Sequence, residues 1–128
     1  MLVFSKKNSD GSVDFIGKQG ATWSLVITVK DKDGNPVDLT GYLVRGQVRK
    51  SHKATTAWNF DCSIVDAQGG KILVMMDAED TASIPVGDSS DPKSANNTYV
   101  YDIELESPQG QVVRILEGKI YVDPEVTK

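Results

Sequence analysis

The chain has 128 residues, of which 39% are hydrophobic and 25% are charged, enough apolar sequence for one folded domain without disulfides or a structural metal. Its net charge of -4, from 14 Lys and Arg against 18 Asp and Glu, provides no positive field to gather nucleic acid. Cys62 is the only cysteine, which excludes an intrachain disulfide and a metal site built on paired thiolates.

The N-terminal segment MLVFSKKNSD lacks the apolar core of a signal peptide, and no apolar run approaches the roughly 18 residues of a membrane span. We therefore expect a soluble protein that is not exported by that route and that has no membrane partner. Residues 1–12 are expected to form an extended arm, or else the segments LVF and SVDFI form a strand or a pair of strands.

Alternation of apolar and polar residues predicts strands along most of the remaining chain. In TWSLVITVK the apolar side chains share one face, with Val26 as the exception. In YLVRGQVRK the side chains of Arg45, Gln47 and Arg49 face away from the apolar ones, so one side of the sheet is expected to be wet, as in antiparallel sheets.

The segment DKDGNP between these two strands looks at first like the start of a calcium loop. A helix-flanked calcium loop needs Gly at its sixth position and Glu at its twelfth, where this chain has Pro36 and Tyr42. We therefore predict no metal here, but a tight turn that joins the two strands as a hairpin.

The second half of the chain continues the pattern. Phe60–Ile64, with Cys62 as a small apolar core residue, and Ile72–Met76 are predicted to form a hairpin through DAQGG. Asp77 or Asp80 should cap one or two helical turns that end before Pro85. Residues 86–97 contain many turn-forming residues, which predicts a mobile exposed loop. A final hairpin should run to about Asp123.

Seven or eight short strands separated by turns predict an all-β, immunoglobulin-like antiparallel β-sandwich with one short helical turn, forming a single domain over residues 1–128. Little in the sequence resembles a reactive site. His52 is the sole histidine, and neither a Gly-x-Ser-x-Gly turn nor a glycine-rich phosphate loop is present. We therefore predict a protein without enzymatic activity, cofactor or metal.

Five residues are candidates for contacts with a partner. Arg45, Arg49 and His52 belong to a basic cluster that either contacts an anionic partner or is only a solvated strand end. Trp58 follows the polar segment SHKATTA and is expected to be partly exposed, and Tyr99 is a second aromatic candidate. Aromatic residues at strand spacing also occur in cores and cross-strand pairs, so both interpretations stay open.

The order of the segments resembles a family of phage virion domains. The stretches that carry the resemblance are GATWSLVITVKDKDGNPVDLTGYLVRGQVRK, IVDAQGGKILVMMDAEDTASIP and YVYDIELESPQGQVVRILEGKIYVDPEVT. They are similar to the immunoglobulin-like N-terminal domain of phage baseplate upper proteins and related tail-associated proteins. Asp-x-x-Gly-x-Pro, Asp-Leu-Thr-Gly and a closing Gly-x-Ile-x-Val-x-Pro strand follow one another in that family as they do here.

The resemblance implies a virion structural protein, made in the host cytoplasm and located in the tail, baseplate or neck. It would contact other virion proteins and form a homo-oligomer in the particle. Baseplate upper proteins continue into a long region that carries receptor-binding proteins, and this sequence does not include one, so we expect an assembly or connector role. A carbohydrate-binding or host-adhesion module and a capsid decoration or cement protein remain as alternatives.

Overall fold

In the computed structural model, which describes residues 2–87 and 91–124, the chain folds almost entirely into strands. Nine strands lie in the described residues: β1 (Leu2–Lys7), β2 (Val13–Lys18), β3 (Trp23–Thr28), β4 (Leu43–Arg49), β5 (Ala57–Asn59), β6 (Asp61–Asp66), β7 (Lys71–Met76), β8 (Thr98–Glu106) and β9 (Val112–Asp123). A short helix α1 (Ala78–Ala82) and a 3₁₀ turn (Ala95–Asn97) lie between β7 and β8. The sequence predicted seven or eight strands, and the one it missed is β5, whose three residues are too few to show alternation.

The strands form two sheets that pack face to face. One has the order β1-β2-β9-β8-β4-β5 and the other the order β3-β7-β6. In the nomenclature of immunoglobulin domains, the second sheet corresponds to strands B-E-D and the run β9-β8-β4-β5 to G-F-C-C′. The predicted immunoglobulin-like β-sandwich is therefore confirmed. One pair of strands departs from a purely antiparallel fold: β2 runs parallel to β9, with Phe15 opposite Ile120 at the start of the pairing.

The core lies between the sheets and is built around Trp23, which is fully buried. Its indole N–H donates to the carbonyl oxygen of Lys18 at 2.8 Å. Tyr99, at the start of β8, donates its hydroxyl to the carbonyl oxygen of Pro85. This bond resembles the tyrosine corner that links strand F to the preceding connection in immunoglobulin-like sandwiches.

Cys62 takes the core-facing phase that the sequence predicted. It lies opposite Val74 of β7, which is 1% exposed, but is itself only half-buried. Burial, and secondarily the charge of Asp61, raises the pKa of its thiol to about 11. The thiol therefore stays protonated at neutral pH and behaves as a small apolar side chain.

The turn at DKDGNP is confirmed, but its predicted role is wrong. The N–H of Asp31 donates to the carbonyl oxygen of Asn35, and Gly34 takes a φ of 84° that favours glycine. One carboxylate oxygen of Asp31 also accepts from the N–H groups of Asp33 and Asn35. The strands on either side, β3 and β4, belong to different sheets, so the turn begins a crossover and not a hairpin between them. Alternation identified both strands but could not assign them to sheets.

The β6–β7 hairpin, the Asp77 cap of α1 and the final β8–β9 hairpin all form as predicted. Residues 2–7 do not form a free arm, since β1 is paired antiparallel with β2. Part of the predicted loop is also fixed: Asn97 is fully buried, and its side-chain oxygen accepts from the N–H of Gly87 at 2.8 Å. Residues 88–90 of that loop lie outside the described residues.

Candidate interaction surfaces

Four of the five predicted contact residues lie between positions 45 and 58, Tyr99 lies on β8, and the set is divided between the two faces of the six-stranded sheet. Trp58 of β5 is opposite Val48 of β4, whose side chain is fully buried, so Trp58 lies on the inner side with Tyr99. Arg45 and Arg49 have the opposite phase and point outward. The structure therefore brings Trp58 and Tyr99 together and separates both from the arginines.

Trp58 and Tyr99 form one wall of a groove at the edge of the sandwich. Their rings meet edge to face, with centroids 5.8 Å apart and planes at 87°. The indole N–H of Trp58 donates to the hydroxyl of Ser83 at 3.1 Å. Trp58 is half-buried, whereas Tyr99 is only 3% exposed, because its ring packs into the core. Tyr99 is therefore not the exposed aromatic ring that the sequence allowed, and of the two residues only Trp58 presents its ring to the surface.

The groove beside Trp58, of about 690 Å³, mixes apolar and hydrogen-bonding groups. Its lining includes Lys50, Thr55, Thr56, Pro85, Val86 and Asn96. The ammonium group of Lys50 lies 4.6 Å from the centroid of Tyr99 and donates to the carbonyl oxygens of Ala95 and Thr98. Partial burial lowers the pKa of Lys50.

The arginines of the outer face are held by neighbouring side chains. Arg45 contacts the carboxylates of Glu104 at 3.4 Å and Glu106 at 3.3 Å. Arg49 donates to the side-chain oxygen of Gln47 and to the carbonyl oxygen of Ala54.

Further along the same face, Arg114 contacts Asp102 at 3.4 Å and Glu117 at 2.8 Å. All four of these ion pairs are partly exposed, so each contributes at most about 1 kcal/mol to stability. The two pairs of Arg45 compensate one positive charge of the predicted basic cluster, which weakens the attraction of that cluster for an anionic partner.

His52 lies apart from the Trp58 groove, at a polar cleft of about 690 Å³ over the outer face. The cleft also exposes Tyr121 and Lys119 and holds the carboxylate of Asp14, a residue only 4% exposed. Asp14 accepts from the N–H of Lys119 at 3.0 Å and lies 3.4 Å from the hydroxyl of Tyr121. The sequence did not indicate this cleft, because it depends on the parallel β2–β9 pairing.

The part of the chain that the structure describes contains no group of three His, Cys, Asp or Glu side chains arranged to hold a metal ion. No helix in residues 2–87 and 91–124 is long and apolar enough to cross a membrane.

The outer face of the three-stranded sheet carries an apolar patch between polar side chains such as Ser63 and Lys71. Val26 is 60% exposed and lies opposite Leu73, while Met75 lies two residues further along β7. Leu73 and Met75 are half-buried. We call these three residues the Val26 face. Antiparallel sheets usually place polar residues on the solvent side, and grouped apolar residues there mark contact surfaces.

The sequence contained a signal for this face. Val26 breaks the alternation of its strand, and Ile72–Met76 is an unbroken apolar run, typical of a strand covered on both faces. Neither observation led to a predicted site.

No family model and no curated protein matches the sequence. Among solved structures, the sialic acid binding region of a Streptococcus sanguinis SK1 adhesin, bound to 3′sLn, is 12% identical with a TM-score of 0.44. The match covers 88% of this chain, which spans only 28% of the adhesin chain. Murine CRIg is 12% identical with a TM-score of 0.36, and the match covers 98% of this chain and 97% of that one. Likenesses this distant transfer no function, and the immunoglobulin-like assignment rests on the strand order.

Proposed function

We propose that the protein is a phage virion structural protein, an assembly or connector module of the tail, baseplate or neck that acts through protein–protein contacts. The assignment to a phage particle follows from the resemblance to the baseplate upper protein family. The observation that carries the assembly role is the Val26 face, an apolar surface on the solvent side of one sheet.

The outer faces of the two sheets differ in the free energy that a partner would need to cover them. Covering the six-stranded sheet would desolvate the ion pairs of Arg45 and Arg114, and that cost offsets much of the gain from contact. Covering the Val26 face removes mainly apolar side chains from water, with a gain of about 25 cal/mol per Å² of apolar area. Its charged neighbours, Asp61 and Lys71, are the first residues of β6 and β7 and lie at the borders of the face. A protein partner is therefore expected to bind the three-stranded sheet.

The first test is the presence of the chain in intact particles. Mass spectrometry of washed virions from the phage that encodes it should detect the protein at a fixed ratio to tail proteins. Its absence from washed particles would refute the proposal. Electron microscopy with a labelled chain then distinguishes sites, because a signal over the capsid lattice would support the decoration or cement alternative instead.

The second test concerns the surface. Leu73→Lys places a charge at the centre of the Val26 face and should abolish incorporation into particles. Leu43→Lys is the matched control, since Leu43 is 61% exposed on the outer face of the other sheet. Equal incorporation of the two variants would exclude the Val26 face as the contact surface.

A second candidate function, carbohydrate binding, is favoured by the groove at Trp58. An indole ring beside hydroxyl and amide groups, such as those of Thr55 and Asn96, provides the stacking and hydrogen bonds that sugars need. Trp23 is fully buried, so ligand-induced changes in tryptophan fluorescence would report mainly on Trp58. The native protein and Trp58→Ala are compared on a glycan array. If the native protein binds no glycan, or if Trp58→Ala binds every glycan that the native protein binds, this candidate is rejected.

A further inference from the structure

Strand β3 is an open edge of the three-stranded sheet. It pairs with β7 from Trp23 to Thr28 and with no other strand in the described residues. β1 comes near β3 but is paired with β2. Leu25 and Ile27 point toward the core yet are only half-buried, whereas their partners on β7 are 1% exposed or less. Among the described residues, the outer edge of β3 is therefore unpaired, and the core beside it is only partly covered.

This edge corresponds to a place that is filled in other immunoglobulin-like domains. Constant-type domains have the sheet order A-B-E-D, so strand A lies beside strand B. In this chain β3 has the position of strand B, and the two strands that precede it both belong to the other sheet. Within residues 2–87 and 91–124, no strand occupies the position of strand A beside β3.

The direction of the backbone groups on β3 follows from one hydrogen bond. The N–H of Val29 donates to the carbonyl oxygen of Gly70 at 2.8 Å, in the antiparallel register with β7. The backbone N–H and C=O groups of successive residues point to opposite sides of an antiparallel strand, so those of the odd-numbered residues of β3 point toward β7. The N–H and C=O groups of Ser24, Val26 and Thr28 then point outward from the sheet.

The other exposed edges carry features that discourage pairing. β1 has a bulge between Phe4 and Lys6 and ends in two lysines. β6 has a bulge before Asp66 and an aspartate at each end, and β5 has only three residues. β3 has the sequence WSLVIT, with no charge, no proline and no register shift against β7. It therefore lacks the protection that isolated edge strands normally have.

The sequence of β3 is complementary to itself about Val26. In an antiparallel pair of two β3 strands centred there, Val26 faces Val26, Ser24 faces Thr28 and Leu25 faces Ile27. A β-branched pair and a Ser–Thr pair are both favourable across strands. The same operation applied to β6 would bring its terminal aspartates together, and like charges opposite each other are destabilising.

We propose that two copies of this chain associate through β3, antiparallel about a two-fold axis at Val26, so that their three-stranded sheets join into one continuous sheet. Each of the three outward residues exchanges both backbone hydrogen bonds with its partner. A second copy fits better than a charged peptide, because β3 carries no charge. Two copies of the chain, each with a net charge of -4, repel each other. Salt screens the repulsion between copies and should favour the dimer.

This inference goes beyond the proposed function and does not depend on it, because it is tested on the purified chain. Sedimentation velocity should show a mass that rises from 13.9 kDa toward twice that value as the concentration increases from micromolar to millimolar. A mass that stays at 13.9 kDa throughout would overturn the proposal.

Two double variants test the register. Ser24→Lys with Thr28→Lys places lysine opposite lysine at two sites across the axis, and Ser24→Lys with Thr28→Glu places opposite charges there. Both change the same positions, so their effects on the fold are matched and can be checked by thermal denaturation. The dissociation constant of the dimer should be at least about tenfold higher for the double-lysine variant than for the lysine–glutamate variant. Equal dimerisation constants, or loss of the dimer in both, would overturn the register and with it the proposal.

The outcome is separable from the virion assignment. A chain that dimerises in this register but is absent from washed particles refutes the proposed function alone. A chain that is monomeric but present in particles refutes the dimer alone.

Discussion

Gly118→Ala should be one of the most destabilising single changes in this chain, because Gly118 lies where β2 crosses close to β9. A β-carbon at this position would lie 2.1 Å from the carbonyl oxygen of Val13. The obstacle is backbone rather than the end of a flexible side chain, so no rotamer change can relieve it. The two strands must separate.

The size of the effect follows from the contacts that the separation breaks. Restoring a contact of 3.4 Å moves the strands apart by about 1.3 Å. This movement would disrupt the bond from the Tyr101 hydroxyl to Val13, now 2.6 Å, and that from the Lys119 N–H to Asp14, now 3.0 Å. Each bond contributes about 1 kcal/mol and overpacking costs about 1–3 kcal/mol, so we expect a loss of about 3–5 kcal/mol.

Urea denaturation followed by tryptophan fluorescence measures this loss as a lower midpoint with an unchanged slope. Gly110→Ala is the control. Nothing lies within 4 Å of its β-carbon, but its φ of 86° makes any side chain cost about 1–2 kcal/mol. If Gly118→Ala proves less destabilising than Gly110→Ala, the close approach of β2 to β9 is not as described.

Three further predictions concern single groups. Tyr99→Phe leaves the carbonyl oxygen of Pro85 without its donor and should cost about 1–3 kcal/mol, so an unchanged melting temperature would contradict the tyrosine corner. At pH 8, iodoacetamide should alkylate Cys62 roughly 100-fold more slowly in the folded protein than in urea. The reason is that only the thiolate reacts, and burial raises the pKa of the thiol from 9.0 to about 11. Equal alkylation rates in the two states, measured by mass spectrometry, would refute this prediction. The hydroxyl and N–H of Thr40 lower the pKa of Asp38 below 3.8, which stabilises the fold above pH 3.8 and is lost as the pH falls through the folded value. Thr40→Val should therefore raise the pKa of Asp38 in an NMR titration, and an unchanged pKa would exclude the hydroxyl as its cause.

The sequence predicted individual strands better than their arrangement. Alternation located β3, β4 and β8 because each buries one face, and Asp77 identified the start of α1 through the chemistry of its cap. It missed β5 and could not place β2 beside β9. Pairing between distant strands depends on close approaches such as that at Gly118, which a local pattern does not contain.

The candidate sites were predicted in part. The polar segment before Trp58 correctly suggested a half-buried ring, but Tyr99 could not be recognised as a core residue from spacing alone. The arginines were recognised as outward-facing. Their ion pairs were not, because the register that sets Arg45 opposite Glu104 joins residues 59 positions apart in the chain.

The Val26 face and the β3 edge share Val26 but are otherwise separate. Leu73 lies on the central strand, so it can contact a partner that covers the face but not one that adds to the edge. Ser24 and Thr28 present their backbone groups along the edge. Pairing two copies through β3 would place their Val26 faces side by side on one sheet and double the apolar surface offered to a partner. A virion protein that binds this surface would then contact both copies at once, and the affinity of each weak contact would be multiplied by the effective concentration of the other.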